Sequence, residues 1–299
     1  MKARWLISAL LFSIVLQAQD RTPRDLLKLP VAPGARRIAY GSDPLQFGEL
    51  RVPEGKGPHP VAVIVHGGCW LAKIGNLDER AVALDLLRPL ASALTEQGVA
   101  TWNLEYRRLG NAGGGWPGTF VDVAHGADYL RKIAHENRLD LNRVLAMGHS
   151  AGGHLAMWLA ARTKLPMSSE LYVKDPLRLR GVIDLDGPAD LKAVLPMQQR
   201  VCGGPVITRL VGGTPEEQPQ RYRETSPIEM LPLGVRQEFF AGRMFSGQAA
   251  PYEAAARSAG DAVHTTVLAE AGHFVFVDPS SAVWPQVIRS VREMLGTTR

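Results

Sequence analysis

The sequence predicts an α/β fold, with a mostly parallel central sheet of about eight strands flanked by helices. Three observations predict it. Short apolar runs alternate with helical patterns along most of the chain. The inner runs, such as VAVIV at 61–65 and RVLAM at 143–147, are continuously apolar, as strands covered on both faces must be. Histidine, serine, aspartate and paired glycines follow directly after these runs. They therefore gather at the carboxyl edge of the sheet, where open α/β sheets bind ligands.

Taken in order, strands are expected at 36–40, 47–53, 61–68, 99–107, 143–148, 181–187, 237–242 and 264–270. Helices are expected between most of them, at 78–97, 119–136, 151–163, 249–259 and 280–296. Alternation of strand and helix implies right-handed crossovers and parallel pairing. No repeat, low-complexity tract or linker divides the chain, so residues 19–299 are expected to form a single domain. The paths of 166–180 and 196–222 do not follow from the pattern.

Ahead of that domain, Lys2 and Arg4 precede an apolar run from Trp5 to Leu16, and Ala18 is a small residue suited to cleavage. This is the layout of a secretory signal over residues 1–18. The run is too short for a permanent membrane span. A secreted or periplasmic protein with no membrane attachment after cleavage is expected.

The composition is that of an ordinary globular chain, 45% apolar and 21% charged, with a formal charge of +5. The basic residues are scattered rather than clustered, which excludes a nucleic-acid footprint. There are two cysteines, Cys69 and Cys202. In an oxidising compartment such a pair invites a disulfide, which would tie the loop at 66–72 to the segment RVCGGP. No spaced His/Cys cluster points to a metal, and no cofactor is called for.

The chemistry centres on Gly148-His149-Ser150-Ala151-Gly152, a G-x-S-x-G segment between an expected strand and an expected helix. Such a tight turn presses the serine into a strained conformation and exposes its Oγ, and glycines are needed where side chains would clash. Upstream, HGGCW at 66–70 follows a buried strand. Its backbone N–H groups suit a developing oxyanion, so Gly68, Cys69 and Ala151 are the expected oxyanion-hole residues. His273, in AGHF after the last strand, is the expected base. The other histidines precede a strand, lie on helices, or flank Ser150 too closely. Trp70 is expected as a wall of the substrate pocket. Arg107 and Arg108 end a strand near the site; pairing of one with Asp122 is expected ahead of its alternative, contact with an anionic substrate.

These segments, with EYRRLG, GGGWPGTFVDV and SPIEMLPLG, make the chain resemble the α/β-hydrolase superfamily. The likeness is to the esterase and lipase branch with an HGG-W oxyanion loop, kynurenine-formamidase-like proteins included. It covers nearly all of the chain after the leader. It implies a serine–acid–histidine mechanism, an acyl-enzyme intermediate and no cofactor.

In one place the chain departs from that family. The acid is usual just past the glycine ending the penultimate strand, but Gly242 is followed by Arg243, Met244, Phe245, Ser246 and Gly247. Asp186, at the end of VIDLD, is the first substitute. Asp190 and Asp278 are others, although Asp190 also suits a helix start and Asp278 an N-cap of the last helix. Glu253 reads as a solvated helix residue. A serine–histidine dyad completes the alternatives.

The expected function is hydrolysis of carboxylic esters, with small or medium acyl groups, by a secreted serine esterase. Aryl-formamidase-type amide hydrolysis is a variant of it. A non-catalytic binding protein on the same fold is the competing class, motivated by the missing acid.

Overall fold

The computed structural model describes residues 20–297; the signal expected at 1–18 lies outside the described residues. Eight strands form one sheet: β1 (Arg36–Ala39), β2 (Phe47–Arg51), β3 (His59–Val65), β4 (Ala100–Leu104), β5 (Leu139–His149), β6 (Gly181–Leu185), β7 (Arg236–Ala241) and β8 (Val263–Val267). Their order across the sheet is β1-β2-β4-β3-β5-β6-β7-β8. β1–β2 and β2–β4 pair antiparallel, and every other neighbouring pair is parallel.

Alternation along the inner strands divides the core in two. Val61, Val63 and Val65 point into one cluster, and Ala62 and Ile64 into the other. Because successive side chains face opposite sides, a continuously apolar strand feeds both. The first cluster is closed by the helices Gly118–Asp128 and Ala151–Ala161, whose Phe120 and Trp158 pack edge to face at 5.1 Å between ring centroids. The second is closed by Arg88–Glu96 and Trp284–Leu295, through Leu90, Leu94, Val287 and Val291.

Prolines account for two differences from the expected helices. The helix expected at 78–97 is two short 3₁₀ turns, Glu79–Val82 and Leu84–Leu87, followed by the α-helix Arg88–Glu96. Ala83 is extended between the turns (φ −126°, ψ 177°), and Pro89 lies in the first turn of the α-helix. Proline lacks an N–H and is accommodated there, not in a helix interior. The last helix likewise starts at Trp284 instead of 280, with Pro285 in its first turn.

Between β6 and β7 the chain builds a cap of short helices, among them Leu191–Val194, Gln198–Cys202, Val206–Val211 and Pro219–Thr225. A further short helix, Pro23–Leu26, is fixed by a reciprocal capping box between Thr22 and Asp25. Among the described residues, no helix is long and apolar enough to cross a membrane.

Candidate active site

β3 and β5 are neighbours in register, with Val65 beside Gly148, so HGGCW and the serine turn leave the sheet side by side. Ser150 sits between β5 and the helix Ala151–Ala161 with φ 56° and ψ −124°. A non-glycine residue at such angles is strained and persists only where its surroundings dictate it. Here the surrounding glycines leave no alternative. A Cβ on Gly148 would stand 2.1 Å from the Gly152 carbonyl oxygen, and one on Gly152 would stand 2.1 Å from that of Val65. A Cβ on Gly67 would meet the His149 carbonyl oxygen at 2.6 Å and Ser150 Cβ at 3.0 Å. The two loops can approach this closely only because these positions have no side chain.

The loop after β3 carries three consecutive residues at positive φ: Gly68 (102°), Cys69 (53°) and Trp70 (53°). Several contacts impose that shape. The His66 ring stacks on Tyr106 with centroids 4.3 Å apart, and the Tyr106 hydroxyl donates to the His66 carbonyl at 2.7 Å. His66 Nδ1 faces the Gly67 carbonyl at 2.8 Å, and Nε2 faces Glu105 Oε1 at 3.1 Å. Glu105 is buried, which opposes its ionisation, but His66, Arg108 and the Tyr106 N–H outweigh burial and hold its carboxyl below the usual range. Arg108 extends this network to the Val82 carbonyl. On the other side, Cys69 is bonded to Cys202 of the cap. The N–H groups of Gly68, Cys69 and Ala151 have no acceptor among the described residues.

Asp186 directly follows β6 at φ 55°, and its side chain is fully buried. Its Oδ2 accepts from His273 Nδ1 at 2.6 Å, and its Oδ1 accepts from the Gly242 N–H at 2.7 Å. Gly242 thus contributes an N–H at the point where a carboxylate was expected to follow. Phe245 is packed with its ring 6.1 Å from that of His273. The alternative acids lie elsewhere in the hydrogen-bond network. Asp190 caps the helix Leu191–Val194 through the Lys192 and Ala193 N–H groups. Asp278 does not cap the last helix, which begins at Trp284; it is buried, pairs with Arg21 at 2.6 Å and accepts from the Ser280 N–H. Glu253 binds Arg257 and Thr265.

Trp70 differs from expectation. It is 3% exposed and meets the His154 ring edge-on at 5.3 Å, so it plugs the core and offers almost no surface to a ligand. Its flat side chain fills the space behind the loop that its positive φ turns inward. Arg107, as expected, forms a bidentate pair with buried Asp122, at 2.8 and 2.7 Å.

One contributor escaped the sequence reading. His149 is too close to Ser150 in sequence to face it, yet its ring lies 4.3 Å from that of His273, and its Nε2–H donates to the His273 carbonyl at 3.0 Å. Burial, then the neighbouring His273, holds its pKa well below the ordinary value, so it remains neutral. No spacing rule reveals this contact, which joins residues 124 positions apart. Beneath the turn, burial and then the Asp186 charge push Asp184 well above the carboxylate range, against the Gly187 N–H that it accepts. No group of three or more potential metal ligands occurs among the described residues.

The architecture recurs in solved structures. A truncated carbohydrate esterase from gut microbiota superposes with a TM-score of 0.72 at 19% identity, over 89% of this chain and 97% of that one. Esterase B from Lactobacillus rhamnosis gives 0.71 at 20% identity, over 88% and 86%. At these identities the likeness establishes the α/β-hydrolase fold. In sequence, the chain is 27% identical to Esterase LipC of Mycobacterium tuberculosis over 208 residues, 66% of this chain and 47% of that protein. It is 30% identical to Esterase EstD of Thermotoga maritima over 120 residues, 39% of this chain and 27% of that protein. The matches thus span about half or less of these curated relatives. The BD-FAE family model matches residues 50–232, from β2 through the serine turn and the cap, and the chain belongs to the BD-FAE family.

Proposed function

We propose that the protein is a serine hydrolase of carboxylic esters, acting through an acyl-enzyme on small-molecule substrates. Two observations carry this reading together: the buried Asp186 carboxylate against His273 Nδ1, and a serine held in a strained turn between β5 and the helix that follows. Because His273 Nδ1 donates to Asp186, its Nε2 is the nitrogen left to exchange protons with the serine.

In this reading Ser150 Oγ attacks the ester carbonyl and gives its proton to His273 Nε2. The Gly68, Cys69 and Ala151 N–H groups stabilise the negative oxygen, at the N-terminus of the helix that begins with Ala151. As the tetrahedral intermediate collapses, His273 returns the proton to the leaving alcohol and an acyl-Ser150 ester remains. Water then attacks the acyl carbon as His273 takes its proton, and collapse of the second intermediate releases the acid while His273 returns that proton to Ser150 Oγ. Asp186 fixes the tautomer and stabilises the imidazolium throughout.

The competing binding-protein reading was motivated by a missing acid. A carboxylate within hydrogen-bond distance of His273 favours hydrolysis over it. The names of the curated relatives, both esterases, support the ester over an amide. Export to the periplasm or medium is supported by the leader pattern at 1–18 and by the Cys69–Cys202 bond, which an oxidising compartment maintains.

The test is labelling with a fluorophosphonate. One adduct per chain, mapped to Ser150 and absent in a folded Ser150→Ala variant, is expected. A folded protein that does not react would overturn the reading.

A further inference from the structure

Ester hydrolysis alone does not explain the charges beside His273. A cleft of about 510 Å³ opens there, and its walls carry Arg21, Arg200 and Arg243 against one acidic side chain, Asp20. Two of these arginines are answered. Arg21 Nε donates to buried Asp278 at 2.6 Å, and Arg243 faces Asp20 at 3.3 Å. Arg200 is exposed and has no acidic partner among the described residues.

Nor does Arg200 sit on a free loop tip. Its helix, Gln198–Cys202, is fastened by Cys202 to Cys69, in the loop whose Gly67 closely approaches Ser150. The disulfide keeps the uncompensated cation on the wall that also holds His273. Around it, Met197, Val201 and Phe274 supply apolar surface.

The mechanism decides which half of the ester this cleft receives. His273 delivers the proton to the departing oxygen, so the leaving alcohol must lie on the His273 side of Ser150. We infer that the alcohol portion of the substrate carries a carboxylate, which Arg200 receives. The substrate class is then acyl esters of hydroxy acids, acidic sugars among them. This inference rests on the ester-hydrolase reading.

A matched pair of substrates tests it: the acetyl esters of meta-hydroxyphenylacetate and of meta-hydroxyphenylacetamide. Their leaving groups are nearly equal, because a methylene insulates the charge from the phenol. We expect kcat/KM to favour the carboxylate by about fivefold at low ionic strength, as for an exposed to half-exposed ion pair, and added salt to narrow the gap. Arg200→Gln brings the ratio to about one, and Arg200→Lys restores part of it. Arg236→Gln, which removes the same charge outside the cleft, keeps it. Equal rates for the two esters in the parent, or a preference that survives Arg200→Gln, overturn the proposal while the hydrolase reading stands. Failure to hydrolyse either ester also overturns it, and fluorophosphonate labelling of Ser150 then tells whether the hydrolase reading falls too.

Discussion

Asp186 Oδ2 and His273 Nδ1 stand 2.6 Å apart although 87 residues separate them in the chain. β6 and the turn after β8 are not neighbours in the sheet, and β7 lies between them. The carboxylate reaches across the end of β7, where the Gly242 N–H holds its other oxygen. The carboxylate that meets His273 therefore comes from one strand farther in than the α/β-hydrolase resemblance leads one to expect.

The first prediction concerns that acid. Asp186→Asn keeps the size and one acceptor but loses the charge that orients the imidazole, so kcat falls by about 10³–10⁴. Asp190→Asn and Asp278→Asn leave kcat within about tenfold, because their side chains serve a helix cap and the Arg21 pair. Steady-state hydrolysis of an acetyl ester by the three folded variants separates these outcomes.

The disulfide supports both the fold and the site. It closes a loop with a sequence separation of 133, and its loss is expected to reduce unfolding free energy by about 2–4 kcal/mol. Urea unfolding of the Cys202→Ser variant measures this. The same variant releases Cys69 from its cap partner while that residue still has to hold φ 53°. A fall in kcat of about tenfold, well below the unfolding midpoint, is expected from a loosened oxyanion loop. An unchanged kcat would place the bond's role in stability alone.

Acid sensitivity follows from His154. The ring is fully buried, its Nε2–H donates to the Thr225 carbonyl, and burial lowers its pKa to about 4. The unfolded chain thus binds a proton that the folded one refuses between about pH 6.5 and 4, and stability drops as pH falls through that window. The loss from this group approaches about 3 kcal/mol. His154→Gln, which preserves an N–H donor, flattens the dependence of chemical unfolding on pH in this range.

Asp184 has the opposite sign. Its folded-state pKa is raised well above that of an ordinary carboxylate by burial, so the folded chain retains a proton that the unfolded chain releases above about pH 4. Stability from this group is lost as pH rises. Asp184→Asn removes that penalty and is expected to stabilise the protein at pH 7 but not at pH 4. Equal effects at both pH values would show that Asp184 is ionised in the folded state.

The strands were legible because continuous apolar runs such as VAVIV have few other uses in a chain of this composition. The serine turn was legible because its glycines are required by contacts under 3 Å, and only glycine satisfies them. What sequence could not supply were relations between distant segments. The strand end put Asp186 ahead of Asp190, which suited a helix start, but only the fold sets the first against His273 and leaves the second on a helix end. His149 was set aside for its nearness to Ser150, and it acts on the His273 backbone instead. Trp70 looked like a pocket wall because tryptophan can serve either role, and the positive φ that turns it inward has no signature in composition. The cap, built from helices of seven residues or fewer, carries too few turns for any period to show.

The most direct measurement is the hydrolysis of p-nitrophenyl acetate by the purified protein beside Ser150→Ala and Asp186→Asn, with folding of each verified by circular dichroism. Turnover in the parent, none above background in Ser150→Ala, and a residue of about 10⁻³–10⁻⁴ in Asp186→Asn is the predicted result. Full activity in Asp186→Asn would contradict the account, since His273 would then work without the carboxylate that stands against it.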